Sequence, residues 1–128
     1  MPRGIEIRDA HFPGRAPIDA YGNGGFRFAD MSHRGSLLCL PSGVHGWAFS
    51  EGDELSLEAL SKVIDDADEI EVLLIGTGSE MRPLPPSLKS SLKAHGIACD
   101  PMSTGAAVRT YNIMLSESRA VAAALIAV

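Results

Sequence analysis

Val72-Leu73-Leu74-Ile75-Gly76-Thr77-Gly78 decides the architecture. Four consecutive large apolar residues cannot alternate inward and outward. The strand they form is therefore covered on both faces, as in the middle of an α/β sheet. Gly76 and Gly78 stop the strand and permit a turn that side chains would obstruct. N-terminal to this stretch the chain reads as short strands, and C-terminal to it as helix, strand, helix, strand. The expected fold is one α/β domain over residues 1–128, within reach of a chain of this length without a metal or disulfide staple.

Moving outward toward the N-terminus, Ile5 and Ile7 alternate against Glu6 and Arg8 as a short edge strand. Two prolines and a glycine make His11–Pro17 a loop. Ile18–Tyr21 and Phe26–Ala29 are strands joined by Gly22-Asn23-Gly24-Gly25, a strong hairpin signal. Met31–Gly35 is a connection to the strand Ser36–Leu40, and Pro41-Ser42-Gly43 turns the chain into Val44–Phe49. The first half is thus an antiparallel β meander. Ser56 caps a short helix whose stripe is Leu57, Leu60 and Ile64.

Toward the C-terminus, Pro85 and Pro86 start a second helix, with Leu88 and Leu92 one turn apart and Gly96 as its αL end. Ile97–Asp100 is a strand. Ser103 or Thr104 caps a third helix to about Leu115, with Ala107, Tyr111, Met114 and Leu115 on its apolar face. Val121–Val128 is the last strand, although Ala122-Ala123-Ala124 is helix-compatible.

The net charge is -5, which argues against a nucleic-acid binder, because neutralising phosphates needs surplus Lys and Arg. The acidity is local. Glu51, Asp53, Glu54, Glu58, Asp65, Asp66, Asp68, Glu69 and Glu71 are opposed only by Lys62. Such a run is either a solvated helix face with its loops or a docking face for a basic partner. Cys39 and Cys99 lie in apolar strand-like runs and read as buried free thiols. No apolar leader follows Arg3, and the longest apolar run, Ala120–Val128, is far short of the roughly 20 residues that span a bilayer. A cytoplasmic domain is expected.

No catalytic constellation is visible. His11, His33, His45 and His95 are not spaced as metal ligands, and there is no Cys-x-x-Cys. No metal or cofactor is therefore expected. His33 beside Arg34 reads as a solvated loop histidine, and His45 on the face of Trp47 as a packing residue. Ser79 lacks the glycine that a Gly-x-Ser-x-Gly elbow places two residues later. The candidate ligand-binding residues are Gly76, Thr77, Gly78, Thr104, Arg109 and Asn112. The glycine turn lies at the carboxyl end of a buried strand, where open α/β sheets place ligands, and its amides could meet a small anion beside a helix N-terminus. The alternative is a tight strand exit packed against a helix, since Met81 replaces the third glycine of a dinucleotide fingerprint. Asn112 is equally suited to bonding loop backbone and holding the turn after the buried strand.

Several segments in combination resemble a known family. They are Ile18–Phe28, Leu73–Gly78, Leu84-Pro85-Pro86, Thr104–Asn112 and the Ala122–Ile126 ending. The chain is similar, over nearly its whole length, to the bacterial and archaeal domain family of unknown function that includes the mitochondrial NADH dehydrogenase (complex I) assembly factor three and an adipogenesis-associated vertebrate protein. The resemblance implies a three-layer α/β fold, with a central mixed sheet flanked by helices plus an N-terminal antiparallel β meander. It implies a non-enzymatic assembly or interaction role. The partner would be a protein, in a respiratory or inner-membrane assembly, with weak peripheral membrane association through that partner. It supplies no catalytic residues and no cofactor. Positions shared with distant relatives correspond to Gly76, Gly78, Thr104, Ala107 and Asn112. Ser103 stands where an acidic residue is frequent, which weakens acid catalysis at the helix start. Ser118 stands where a glycine usually follows Glu117, which questions the tightness of the last turn.

Overall fold

A computed structural model describes residues 11–128. The expected strand at Ile5–Ile7 lies outside the described residues. The strands are β1 (His11–Phe12), β2 (Ala20–Gly22), β3 (Gly25–Phe28), β4 (Met31–Arg34), β5 (Ser36–Leu40), β6 (Gly43–Trp47), β7 (Val72–Gly76), β8 (Ala98–Met102) and β9 (Val121–Leu125). The helices are α1 (Ser61–Asp65), α2 (Pro86–Ala94) and α3 (Thr104–Ser116), with single 3₁₀ turns at Glu58–Leu60 and Ala67–Glu69.

The strands form two sheets. A six-stranded mixed sheet has the order β1-β6-β5-β9-β7-β8, and a three-stranded antiparallel sheet has the order β2-β3-β4. β9 is antiparallel to β5 and parallel to β7, so it joins the antiparallel half to the parallel half. Three layers result. One core, holding Leu73, Ile75, Leu88 and Leu92, lies between the large sheet and the α1–α2 side. The other, holding Phe26, Phe28, Leu74 and Tyr111, lies between the large sheet and the layer made by α3 and the small sheet. This is the three-layer mixed architecture the resemblance implies.

The reading of β7 holds in its physics and shifts in its position. Leu73 and Ile75 enter one core and Leu74 the other, so both faces are dry. Each such side chain contributes about 1.5–3 kcal/mol. The middle of the sheet is nevertheless shared by β5 and β9, and β7 is one strand from the edge. Ala122, Ala123 and Ala124 are fully buried in β9. Their helix propensity is overridden because strands pair on both sides and methyl groups alone allow both outer layers to approach.

Four expectations change. His11 and Phe12 are not loop but a short strand paired with His45 and Val44, where β6 offers a free edge; Pro13 then ends the pairing. The segment Met31–Gly35 is largely the strand β4 rather than a connection. Its hairpin with β3 turns on Ala29 (φ 48°) and Asp30 (φ 62°), a two-residue turn without the glycine that would mark it in sequence. His33 is consequently buried on β4, its Nε2 3.1 Å from the Ser36 carbonyl, and is not a solvated loop residue. The meander does not remain one sheet: β2–β4 separate as an outer layer, while β5 and β6 join the large sheet.

The Gly22–Gly25 hairpin forms as expected, with positive φ at Asn23 and Gly24. Ser56 Oγ accepts from Ala59 N at 3.2 Å, and Ser103, not Thr104, caps α3 by accepting from Ala106 N at 3.3 Å. β8 extends through Pro101, which an edge strand tolerates because one side of it has no ladder to complete. Cys39 is a buried free thiol, whereas Cys99 is half-buried. Ser118 takes φ 58°, so the turn before β9 is tight without a glycine. A left-handed non-glycine residue costs about 1–2 kcal/mol, partly offset by the unfolded-state entropy that glycine adds. Ser118→Gly should therefore stabilise the chain by about 0.5–1 kcal/mol in urea unfolding with unchanged m.

Candidate functional site

The carboxyl end of β7 meets the start of α3 at van der Waals contact. A Cβ on Gly76 would lie 2.9 Å from Thr104 Cα, 3.1 Å from Thr104 Oγ1 and 3.2 Å from Leu125 Cδ2. Only a residue without a side chain permits that approach. The Thr104 hydroxyl, fully buried, donates to Ile126 O at 2.7 Å and accepts from Gly78 N at 3.1 Å. Thr104 N donates to Gly78 O at 2.8 Å, and Ile126 N donates to Gly76 O at 3.0 Å. One side chain thus ties the strand exit, the helix start and the end of β9.

Thr77 completes the turn from the other side. Its amide donates to Met102 O at 2.8 Å, its hydroxyl donates to Glu80 O at 2.7 Å, and Arg82 N donates to that hydroxyl at 2.9 Å. The amides of Thr77 and Gly78, which the anion reading required, are both bonded within the chain. Gly78 has φ +115° and lies against the Glu51 carboxylate, which is 3.7 Å from the Arg82 guanidinium. Both partners of that ion pair are well exposed, so its contribution to stability is small. Beside it lies a cavity of about 270 Å³ whose lining includes Phe49, Thr77, Arg82, Leu84 and Ile126.

Of the six candidate residues, Gly76, Thr77, Gly78 and Thr104 come together, while Arg109 and Asn112 line another groove. That groove, about 500 Å³, runs between the start of β2 and α3 and includes Asp19, Tyr21 and Gly105. Asn112 accepts from Ile18 N at 2.9 Å and donates to Ile18 O at 2.8 Å. It holds backbone, as one reading expected, but the segment it holds is the approach to β2 and not the turn after β7. Arg109 is exposed at the groove. The residues missed in sequence are Glu51, whose contact with Gly78 spans distant segments, and Tyr21, whose phenol lies on Gly105. Nothing local marks either contact.

Cys39 and Tyr111 meet in the core beneath α3. Burial pushes the Cys39 thiol up to about 12, opposed by its hydrogen bond with Tyr111. Burial and then the neighbouring Cys39 raise the Tyr111 phenol as well. A thiol held protonated in this way is a poor nucleophile.

A family described as "Protein of unknown function (DUF498/DUF598)" matches residues 18–126. An uncharacterised protein of Rhodobacter capsulatus is 41% identical over 119 residues, covering 93% of this chain and 90% of its own. NADH dehydrogenase [ubiquinone] 1 alpha subcomplex assembly factor 3 of Danio rerio is 34% identical over 109 residues, and that of Mus musculus 29% over 122 residues. These matches cover 85% and 95% of this chain but only 63% and 66% of the respective assembly factors. Among solved structures, one described as an outer membrane protein from Bartonella henselae superposes with a TM-score of 0.87 at 59% identity, covering 91% of this chain and 98% of that one. A Bordetella pertussis protein described as an Mth938-like domain gives 0.75 at 27% identity, covering 87% and 85%.

Two outcomes follow from the Thr104 and Cys39 geometry. Thr104→Val keeps the shape but orphans the Gly78 amide and the Ile126 carbonyl, and should lower unfolding free energy by about 2–4 kcal/mol. Thr104→Ser keeps the hydroxyl and should cost about 1 kcal/mol. Urea titration of both variants measures the difference. Separately, between pH about 9 and about 12 the folded chain keeps the Cys39 proton that the unfolded chain releases. Stability should fall through that window by up to about 1.4 kcal/mol per pH unit, with no contribution from this group below it. Cys39→Ala should flatten the onset near pH 9 in a series of denaturation curves.

Proposed function

The chain belongs to the DUF498/DUF598 family of proteins of unknown function, and within it we propose that this domain is a non-enzymatic assembly or interaction factor serving the biogenesis of a respiratory complex. The observation that carries the reading is the similarity to NADH dehydrogenase assembly factor 3 from several animals, which runs through most of the chain rather than through one motif. The geometry supports it. The position where an open α/β sheet would present a ligand site is filled by the Thr104 knot, whose Thr77 and Gly78 amides are bonded to protein atoms.

The partner on this reading is a protein at the cytoplasmic face of the inner membrane, and contact with the bilayer is peripheral and made through it. No helix among the described residues is long and apolar enough to cross a membrane. The acidic segment supplies a docking face for a basic surface. Within it Asp53 and Asp66 accept from Ser50 N and Ser42 N, while Glu54, Glu58, Asp68, Glu69 and Glu71 are exposed. Tagged chain used for affinity capture from native membranes should return respiratory subunits. Recovery of unrelated soluble proteins alone would overturn the assembly role.

A further inference from the structure

The outer face of the small sheet carries a charge opposite to that of the chain as a whole. In an antiparallel sheet, directly opposed residues share a face. The register places Ala20, Arg27 and Ser32 in one row, and Gly22, Gly25 and Arg34 in the next. The alternate positions, Phe26 and Phe28, point into the core. Two exposed guanidinium groups therefore stand on diagonal positions, with little beside them except glycine, alanine and serine. Diagonal neighbours are separated by roughly 7–8 Å at their Cα atoms. A groove of about 590 Å³ opens there, lined by Ala20, Gly22, Gly25, Arg27, Ser32 and Arg34. None of the described residues lining it is a carboxylate, and neither arginine is in an ion pair among the described residues.

We propose that this face binds an extended acidic segment of a protein partner, with carboxylates at alternate positions seated on Arg27 and Arg34. The inference rests on the interaction role proposed above and names the surface that serves it. Charge complementarity selects the occupant, in a chain of net charge -5 whose groove is locally cationic. Spacing selects its form. Side chains two residues apart on an extended strand lie on one face about 6.6–6.8 Å apart, close to the separation of the two arginines. Each guanidinium offers a planar fork that a carboxylate matches with two hydrogen bonds. A small anion is disfavoured because an open sheet face cannot enclose most of its surface.

The test uses isotopically labelled full chain and a synthetic peptide alternating threonine and glutamate, followed by amide and arginine Nε resonances. Saturable shifts should fall on residues 20–27 and 32–34 and on the Arg27 and Arg34 side chains. The glutamine version of the peptide should give none at the same concentration. Arg27→Gln with Arg34→Gln should weaken binding at least tenfold with the circular dichroism spectrum unchanged, whereas Lys89→Gln with Lys93→Gln should leave it intact. Shifts centred elsewhere, no shifts, or equal affinity in the double arginine variant would overturn the proposal. So would inorganic pyrophosphate binding the face as tightly as the peptide, or self-association through this face in place of peptide binding. The affinity capture separates this failure from that of the assembly role. If the double arginine variant still captures the same respiratory subunits, this face is not the docking surface and the assembly role survives. If unmodified chain binds the peptide here but captures no such subunits, the acidic-segment site survives and the assembly role falls.

Discussion

The Thr104 hydroxyl is the interaction on which the rest of the molecule depends. It bonds the amide of Gly78 and the carbonyl of Ile126, so the exit of β7, the entry of α3 and the end of β9 share one buried oxygen. The contact exists only because Gly76 has no side chain to hold α3 away. Buried backbone groups must be paired, and here a single side chain pairs two of them at a crossing of three segments. The neighbouring turn is equally committed through Thr77. A strand exit made this rigid is suited to fixing layers relative to one another.

That rigidity bears on where function resides. α3 is pinned at its start by Thr104 and along its length by Asn112, which grips the backbone of Ile18. The small sheet is thereby held to the helix that the knot positions. Its inner face is closed by Phe26 and Phe28, and its outer face presents arginines over glycines. The acidic segment lies in a different part of the chain, around the 3₁₀ turns and α1. The cationic row is thus made by the register of the small sheet and the acidic run by a separate segment of the chain.

Alanine in β9 is the second constraint. This strand lies between the antiparallel and parallel halves of the large sheet, and its residues are fully buried. Larger side chains would push the α1–α2 layer and the α3 layer apart, because interiors close-packed to crystal density do not absorb added volume. Small residues at the centre and large ones in the flanking strands β5 and β7 give the core its thickness.

Local chemistry by itself determined most of the elements. The unbroken Val72–Ile75 run required a strand buried on both faces, Asn23-Gly24 required a tight hairpin, and Ser56, Pro86 and Ser103 marked helix starts through the backbone groups they satisfy or lack. It also brought Gly76, Gly78 and Thr104 into one candidate cluster by placing them at a strand exit and a helix entry. Tertiary structure alone decided what depends on long-range pairing. β4 was hidden because Ala29 and Asp30 adopt positive φ under the demands of the hairpin rather than by intrinsic preference. The burial of His33, the division of the meander between two sheets and the place of β9 at the centre follow from which edges find partners, and no short window of sequence contains that information. The same holds for the site residues: Arg109 and Asn112 are near Thr104 in sequence but face β2, whereas Arg27 and Arg34 become neighbours only through strand register.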